Sequence, residues 1–265
     1  ERGPMDAVVF AAYGTAQEGA AARTIEPIAA CVGGAVAPAR CVSAFTSTAV
    51  MEVLAKQRRA CVSLEDTLAR LAREGCRHIA VQPGFFAEGW AMHDLRARVQ
   101  AACGDTARVG QPLVACHADA VRLAEILGAE HPRRTNARVV LVAHGESWPA
   151  DCPRPAGESA FDALDALRRA LDARGRDDAI LTTMATSDAT VREIADSGVR
   201  AVTLAPLMIA AGHHAMRQVF GKRPDSLAAR FAAAGIAVDP VVAGLGEYPA
   251  VCDLFADHAR ELCRV

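Results

Sequence analysis

Three histidines carry the most chemical promise in this sequence. His144 follows the apolar run Val139 to Ala143 and precedes Gly145. An imidazole at a strand end can serve as a general base or a metal ligand, because its pKa lies near neutrality. The plainer reading is a histidine satisfied by a nearby carbonyl. His213 and His214 are adjacent, after Gly212. In an extended loop, neighbours point to opposite sides. One of the two is therefore expected to face the site, and the other to pack or meet solvent. The spacing is not that of a structural zinc motif. Imidazole ligands suit cobalt, nickel, iron and zinc better than calcium or magnesium.

These residues need strands and turns to position them. Short apolar runs alternate with helical patterns. Strands are predicted over Ala7 to Ala12, Arg40 to Phe45, Arg77 to Gln82, Ala137 to Ala143, Ala179 to Met184 and Arg200 to Ala205. Helices are predicted over Gln17 to Val32, Thr48 to Arg59, Leu64 to Glu74, Glu158 to Ala173 and Ala189 to Ser197, with Ser63 and Asp66 as a cap pair. Such alternation implies α/β units, each with a parallel sheet flanked by helices.

The chain also repeats itself. The run from Val8 to Gly14 resembles that from Val140 to Gly145. The stretch Leu68, Gly75, Val81, Pro83, Gly89 matches Val191, Gly198, Leu204, Pro206, Gly212 at a constant offset of 123 positions. Duplication predicts two similar lobes, residues 1–130 and 131–265, with a ligand cleft between them where strand ends meet. Tyr13 then corresponds to His144, and Gly89-Trp90-Ala91 to Gly212-His213-His214. The chemistry falls in the second lobe. Tyr13, Phe85, Phe86, Trp90, Met92 and Met208 are the expected contacts for a flat apolar ligand. Glu88, Glu146 and Glu247 are weaker candidates, each more often a solvated acid.

Composition excludes other classes. The net charge of −2 gives no case for nucleic acid or an anionic membrane. No apolar run reaches the roughly 18 residues of a membrane span. Nine cysteines without a Cys-x-x-Cys pair argue against a zinc ribbon and for a reducing compartment, so a cytoplasmic location is expected. All but two of the 29 lysines and arginines are arginine, a planar fork suited to carboxylates. No Gly-x-x-x-x-Gly-Lys loop is present, so no nucleotide is expected.

Three strings carry a family resemblance: Val142-Ala143-His144-Gly145, Ala205-Pro206-Leu207-Met208-Ile209-Ala210-Ala211-Gly212-His213-His214-Ala215, and Gly244-Leu245-Gly246-Glu247. Phe10 to Thr15, Ala44 to Ser47 and Val81 to Pro83 add to it. Together they resemble the anaerobic cobaltochelatases of the class II, ATP-independent chelatase family, which insert Co²⁺ into sirohydrochlorin. The resemblance implies a chelatase-like two-lobed fold, with His144 and His214 as active-site residues and metal ligands. It implies a tetrapyrrole substrate, with cobalt first and nickel or iron as alternatives. His213 stands where the family has Asp, Ala185 and Ala91 where it has Glu, and Phe85 where it has His. His213 is the expected third ligand or base. A non-catalytic carrier of the ring or metal is the alternative, and a homo-oligomer is left open.

Overall fold

The computed structural model describes residues 5–145, 148, 152 and 162–264. Two four-stranded parallel sheets organise it. The first holds β1 (Ala7–Ala12), β2 (Arg40–Phe45), β3 (Ile79–Gly84) and β4 (Ala107–Val109), in the order β2-β1-β3-β4. The second holds β5 (Ala137–Ala143), β6 (Ala179–Thr183), β7 (Ala201–Leu207) and β8 (Ala237–Pro240), in the order β6-β5-β7-β8. The central strands read as unbroken apolar runs because helices cover both sheet faces: all six residues of β1 are buried.

The second sheet has the same strand order as the first. Gly14 and Gly145 each lie two positions past a central strand, with φ of 95° and 90°. A side chain is disfavoured there, so glycine makes the turn. Pro83 and Pro206 are each the penultimate residue of the third strand. Both lie past the last residue paired with the outer strand, Val81 with Val109 and Leu204 with Pro240. A missing N–H is tolerated where that ladder has ended.

The helices in chain order are α1 (Ala20–Val36), α2 (Thr48–Lys56), α3 (Leu64–Arg73), α4 (Trp90–Cys103), α5 (His117–Glu130), α6 (Ala163–Asp172), α7 (Ser187–Asp196), α8 (Leu227–Ala233) and α9 (Pro249–Cys263). The sequence misplaces the bounds of α1. Gly19 is left-handed (φ 67°) and delays the start, while the helix runs on through Gly33, where a Cβ would lie 3.2 Å from that of Cys41. Helix α2 ends at Lys56, short of Arg59, where Arg58 turns to φ 55°. The cap at Ser63 forms as expected: its hydroxyl accepts from the Asp66 N–H at 3.0 Å. The predicted Glu158 start of α6 lies outside the described residues.

Contacts divide the chain into two units, but not at residue 130. The first unit comprises residues up to Ala115, Trp148 and Cys152, and residues from Gly246 onward. The second runs from Cys116 to Gly145 and from Asp162 to Leu245. Helix α9 therefore belongs with the first sheet, and α5 with the second. Buried faces decide this rather than chain order. In the first unit, α9 buries Val251, Leu254, Phe255 and Ala259, packs along α1, and sets Phe255 edge-on to Phe10 at 5.8 Å. In the second unit, α5 packs on α6.

The start of β6 is fixed by a buried ion pair. Arg176 holds the Asp178 carboxylate bidentately, at 2.8 and 3.0 Å, and donates to the carbonyls of Gly128 (3.1 Å) and His131 (2.7 Å) at the end of α5. Burial pushes the Asp178 carboxyl upward. The Arg176 hydrogen bond and the charges of Arg176 and Arg133 outweigh this and hold it below its usual value. A depressed carboxylate stabilises the fold above the unfolded pKa, and that contribution is lost as pH falls through the folded value. Asp178→Asn is expected to cost about 3 kcal/mol near neutrality. Measured by urea unfolding, the deficit should stay level down to about pH 4 and shrink below it. A deficit unchanged at pH 3 would contradict the assignment.

Candidate functional site

The second unit assembles the histidines. Strands β5 and β7 are parallel and in register, with Ala143 opposite Leu207. His144 and Met208 thus leave the sheet together at its carboxyl edge. Gly145 lets the chain turn away beneath His144, lying against Thr183. The segment after Met208 is pinned by the Gly244-Leu245 string. The Leu245 N–H donates to the Met208 carbonyl at 2.8 Å. A Cβ on Gly244 would lie 2.6 Å from the Ile209 oxygen and 2.8 Å from the Ala210 Cα and the Ala211 nitrogen. Only glycine allows these backbones to approach so closely.

His213 and His214 do not lie in an extended loop, as the sequence suggested. They open a helical turn that passes directly into a π-helical turn, Ala215–Val219. The Met216 N–H reaches back to Gly212, and the Phe220 N–H spans five residues to Ala215 at 3.0 Å. Such widened turns are rare and recur at functional sites. The result is a close imidazole pair. The His144 and His214 rings lie 4.8 Å apart at 84°, and the His213 and His214 rings 6.0 Å apart at 77°. All three side chains are exposed.

Both paired rings present Nδ1 to an oxygen that can only accept. His214 Nδ1 lies 3.3 Å from Gln218 Oε1, and His144 Nδ1 a longer 3.4 Å from the Gly145 carbonyl. The tautomer these contacts favour carries its proton on Nδ1 and leaves the Nε2 lone pair open, the arrangement a metal-binding imidazole needs. Among the described residues, no group of three or more His, Cys, Asp or Glu could hold a metal ion. The expected trio with His213 is therefore not assembled here. Glu146 lies outside the described residues.

A hollow of about 440 Å³ in this unit adjoins the pair. His213, His214 and Gln218 line it, with Met184, Ser187, Arg217, Arg223, Arg230 and Asp225. Ala185 sits beside Met184, exposed and without a carboxylate. The turn around it is closed by hydroxyls instead: Thr186 Oγ1 meets those of Thr182 (3.1 Å) and Thr183 (3.0 Å).

Among the described residues, the first unit carries no such histidine cluster. Tyr13 is 55% exposed at the place equivalent to His144. Phe85 and Met92 are not ligand contacts but core, 7% and 0% exposed. Met92, Leu95 and Val99 form the buried stripe of α4, at helical spacing, against β3. Phe86 and Trp90 are half-buried. Trp90 meets His93 and Trp148, with centroids 5.6 and 5.5 Å away. Glu88 is held by Arg96 at 2.6 and 2.9 Å, and Glu247 lies 3.4 Å from Arg23, so both are surface ion pairs. Sequence reasoning named neither Gln218, His93 and Trp148 nor the three arginines by number, though arginine's fork already suggested pairing with acidic ligand groups and Gln218 lies four positions after His214 on a turn.

Residues 6–264 match the cobalt chelatase (CbiK) family. The chain is 34% identical over 224 residues to sirohydrochlorin cobaltochelatase CbiKC of Nitratidesulfovibrio vulgaris, covering 81% of this chain and 76% of that one. It is 30% identical over 224 residues to the sirohydrochlorin cobaltochelatase of Salmonella typhimurium, covering 82% and 81%. In fold it resembles SirB from Bacillus subtilis, solved with Fe³⁺ (TM-score 0.66, 14% identity, 97% and 95% covered). A cobalt complex of the sirohydrochlorin chelatase SirB from the subspecies spizizenii gives a TM-score of 0.63, also at 14% identity, with 97% and 94% covered.

The Gln218 contact makes a specific expectation. Gln218→Leu should weaken divalent-metal binding about tenfold, while Gln218→Glu, which keeps an acceptor for Nδ1–H, should retain most of it. Calorimetric titration with Co²⁺ checks this, and equal affinities for both variants would refute the role.

Proposed function

Because this chain belongs to the CbiK cobalt chelatase family, we propose that it is a class II chelatase that inserts a divalent metal, cobalt first, into sirohydrochlorin. The observation that carries the residue assignment is the His144–His214 pair, rings 4.8 Å apart with both Nδ1 atoms facing acceptors. The two Nε2 atoms hold the incoming ion through a weak, open site. Two ligands leave most of the coordination sphere to water, which the four ring nitrogens displace in turn. Insertion exchanges one M²⁺ for the two pyrrole N–H protons. An imidazole freed from the ion can take one of these protons, and His213 beside the pair is positioned to take the other. Nitrogen ligands favour cobalt, nickel or iron over magnesium and calcium.

Exchange of a metal for protons needs no nucleotide, and the sequence offers no phosphate loop. Met208, leaving the carboxyl edge of the second sheet beside His144, offers an apolar contact to a flat ring. No described helix is long and apolar enough to cross a membrane. The described cysteines are all free, which suits a reducing cytoplasm.

The test mixes protein, metal-free sirohydrochlorin and Co²⁺ and follows the absorbance change on insertion. Wild type should accelerate insertion well above the spontaneous rate. His144→Ala and His214→Ala should each lower it by about a hundredfold or more, the scale of lost base and ligand functions. His213→Ala should lower it by a smaller factor. A wild-type chain that binds the ring but inserts no metal would leave a carrier.

A further inference from the structure

The hollow beside His214 is lined by three guanidiniums and a single carboxylate. The chain as a whole is slightly acidic, so this concentration of positive charge is local. The partners of the three arginines differ. Arg230 donates to Ser187 Oγ at 3.2 Å and pairs with Asp188, with its side chain only 22% exposed. It is braced from the wall. Arg223 Nε meets Asp225 at 3.1 Å, and both side chains are more than half exposed. The Arg223 hydrogen bond, with a smaller contribution from Arg217, holds the Asp225 carboxyl below its ordinary value. Arg217 lies on the same π-helical turn as Gln218, one residue from the side chain that contacts His214.

That turn is tightly built. A Cβ on Gly221 would fall 2.1 Å from the Arg217 carbonyl oxygen. Glycine is therefore required where the chain passes the Arg217 backbone. Arg223 holds one exposed carboxylate, and Arg217 lines the same hollow of about 440 Å³ beside His213 and His214. An exposed Arg–Asp pair contributes little to stability. A ligand carboxylate can replace Asp225 on Arg223 with a bidentate hydrogen bond at small cost.

We propose that Arg217 and Arg223, backed by Arg230, form a carboxylate subsite that seats an acidic side chain of the macrocycle and so sets the ring against His214. The inference rests on the chelatase reading. It adds that the chain discriminates rings by peripheral charge at this hollow.

The experiment compares wild type with Arg217→Gln/Arg223→Gln and with Arg217→Lys/Arg223→Lys, which keeps charge without the fork. The probes are metal-free sirohydrochlorin and its fully methyl-esterified form, each followed by ring fluorescence on binding and by absorbance on Co²⁺ insertion. The Gln pair should weaken binding of the free acid about tenfold or more, and binding of the ester by less than about twofold. Affinity for Co²⁺ alone should be unchanged within about twofold. The Lys pair should fall between. Equal losses for acid and ester, or no loss for either, would overturn the subsite. Failure of wild type to insert metal would instead overturn the chelatase reading, and ring binding would still decide the subsite.

Discussion

The site depends on the pairing of β5 with β7. Ala143 faces Leu207, so two strand ends finish level. Parallel strands lie about 4.8 Å apart, and every strand in this sheet delivers its carboxyl end to the same edge. His144 arrives directly from one strand. His214 arrives seven residues after the other, by a path that must leave and return. The close approach of Gly244 to residues 209–211 and the Leu245–Met208 hydrogen bond set that path. A slip of one residue in the register would move His144 along its strand by about 3.3 Å, which is enough to separate the rings.

The same scaffold occurs twice, with different consequences. Both sheets use the order of outer, central, third and last strand. Both place a glycine of positive φ two residues past the central strand, and both start a helical turn after the matched glycine, at Trp90 and at His213. In the first unit these positions carry Tyr13 and Trp90, and the helix continues regularly as α4, burying Met92 and Leu95. In the second unit the turn widens into a π-helix. Gln218, four residues after His214, meets its ring, and Arg217 lines the hollow. The histidines of the second unit stand where the first unit has Tyr13, Trp90 and Ala91.

The family resemblance implies carboxylates where this chain has Ala185 and His213. The surrounding structure has adapted in one place. At Ala185 the turn closes through threonine hydroxyls and exposes only a methyl group. A weakly held metal also suits a reaction in which the ion must leave the protein for the ring.

Much of this was legible in the sequence, because it followed from local pattern. The bounds of β1 could be read from an unbroken apolar run, which a parallel strand buried on both faces requires, and the end of β5 from the run Val139 to Ala143. The duplication could be read from prolines and glycines, whose backbone demands survive divergence. His144 and His214 could be named from their motifs. The sequence could not place α9 in the first unit or α5 in the second, since that depends on which buried faces match across about two hundred residues of chain. It could not separate Phe85 and Met92, which are core, from Trp90 in the same apolar loop, because periodicity becomes decisive only once the start of α4 is known. Nor could it reveal the π-helical turn, after which Gly221 passes close beside the Arg217 carbonyl. The arginines around His214 were therefore gathered by tertiary packing, whereas the choice of His144 and His214 as candidates came from the sequence alone.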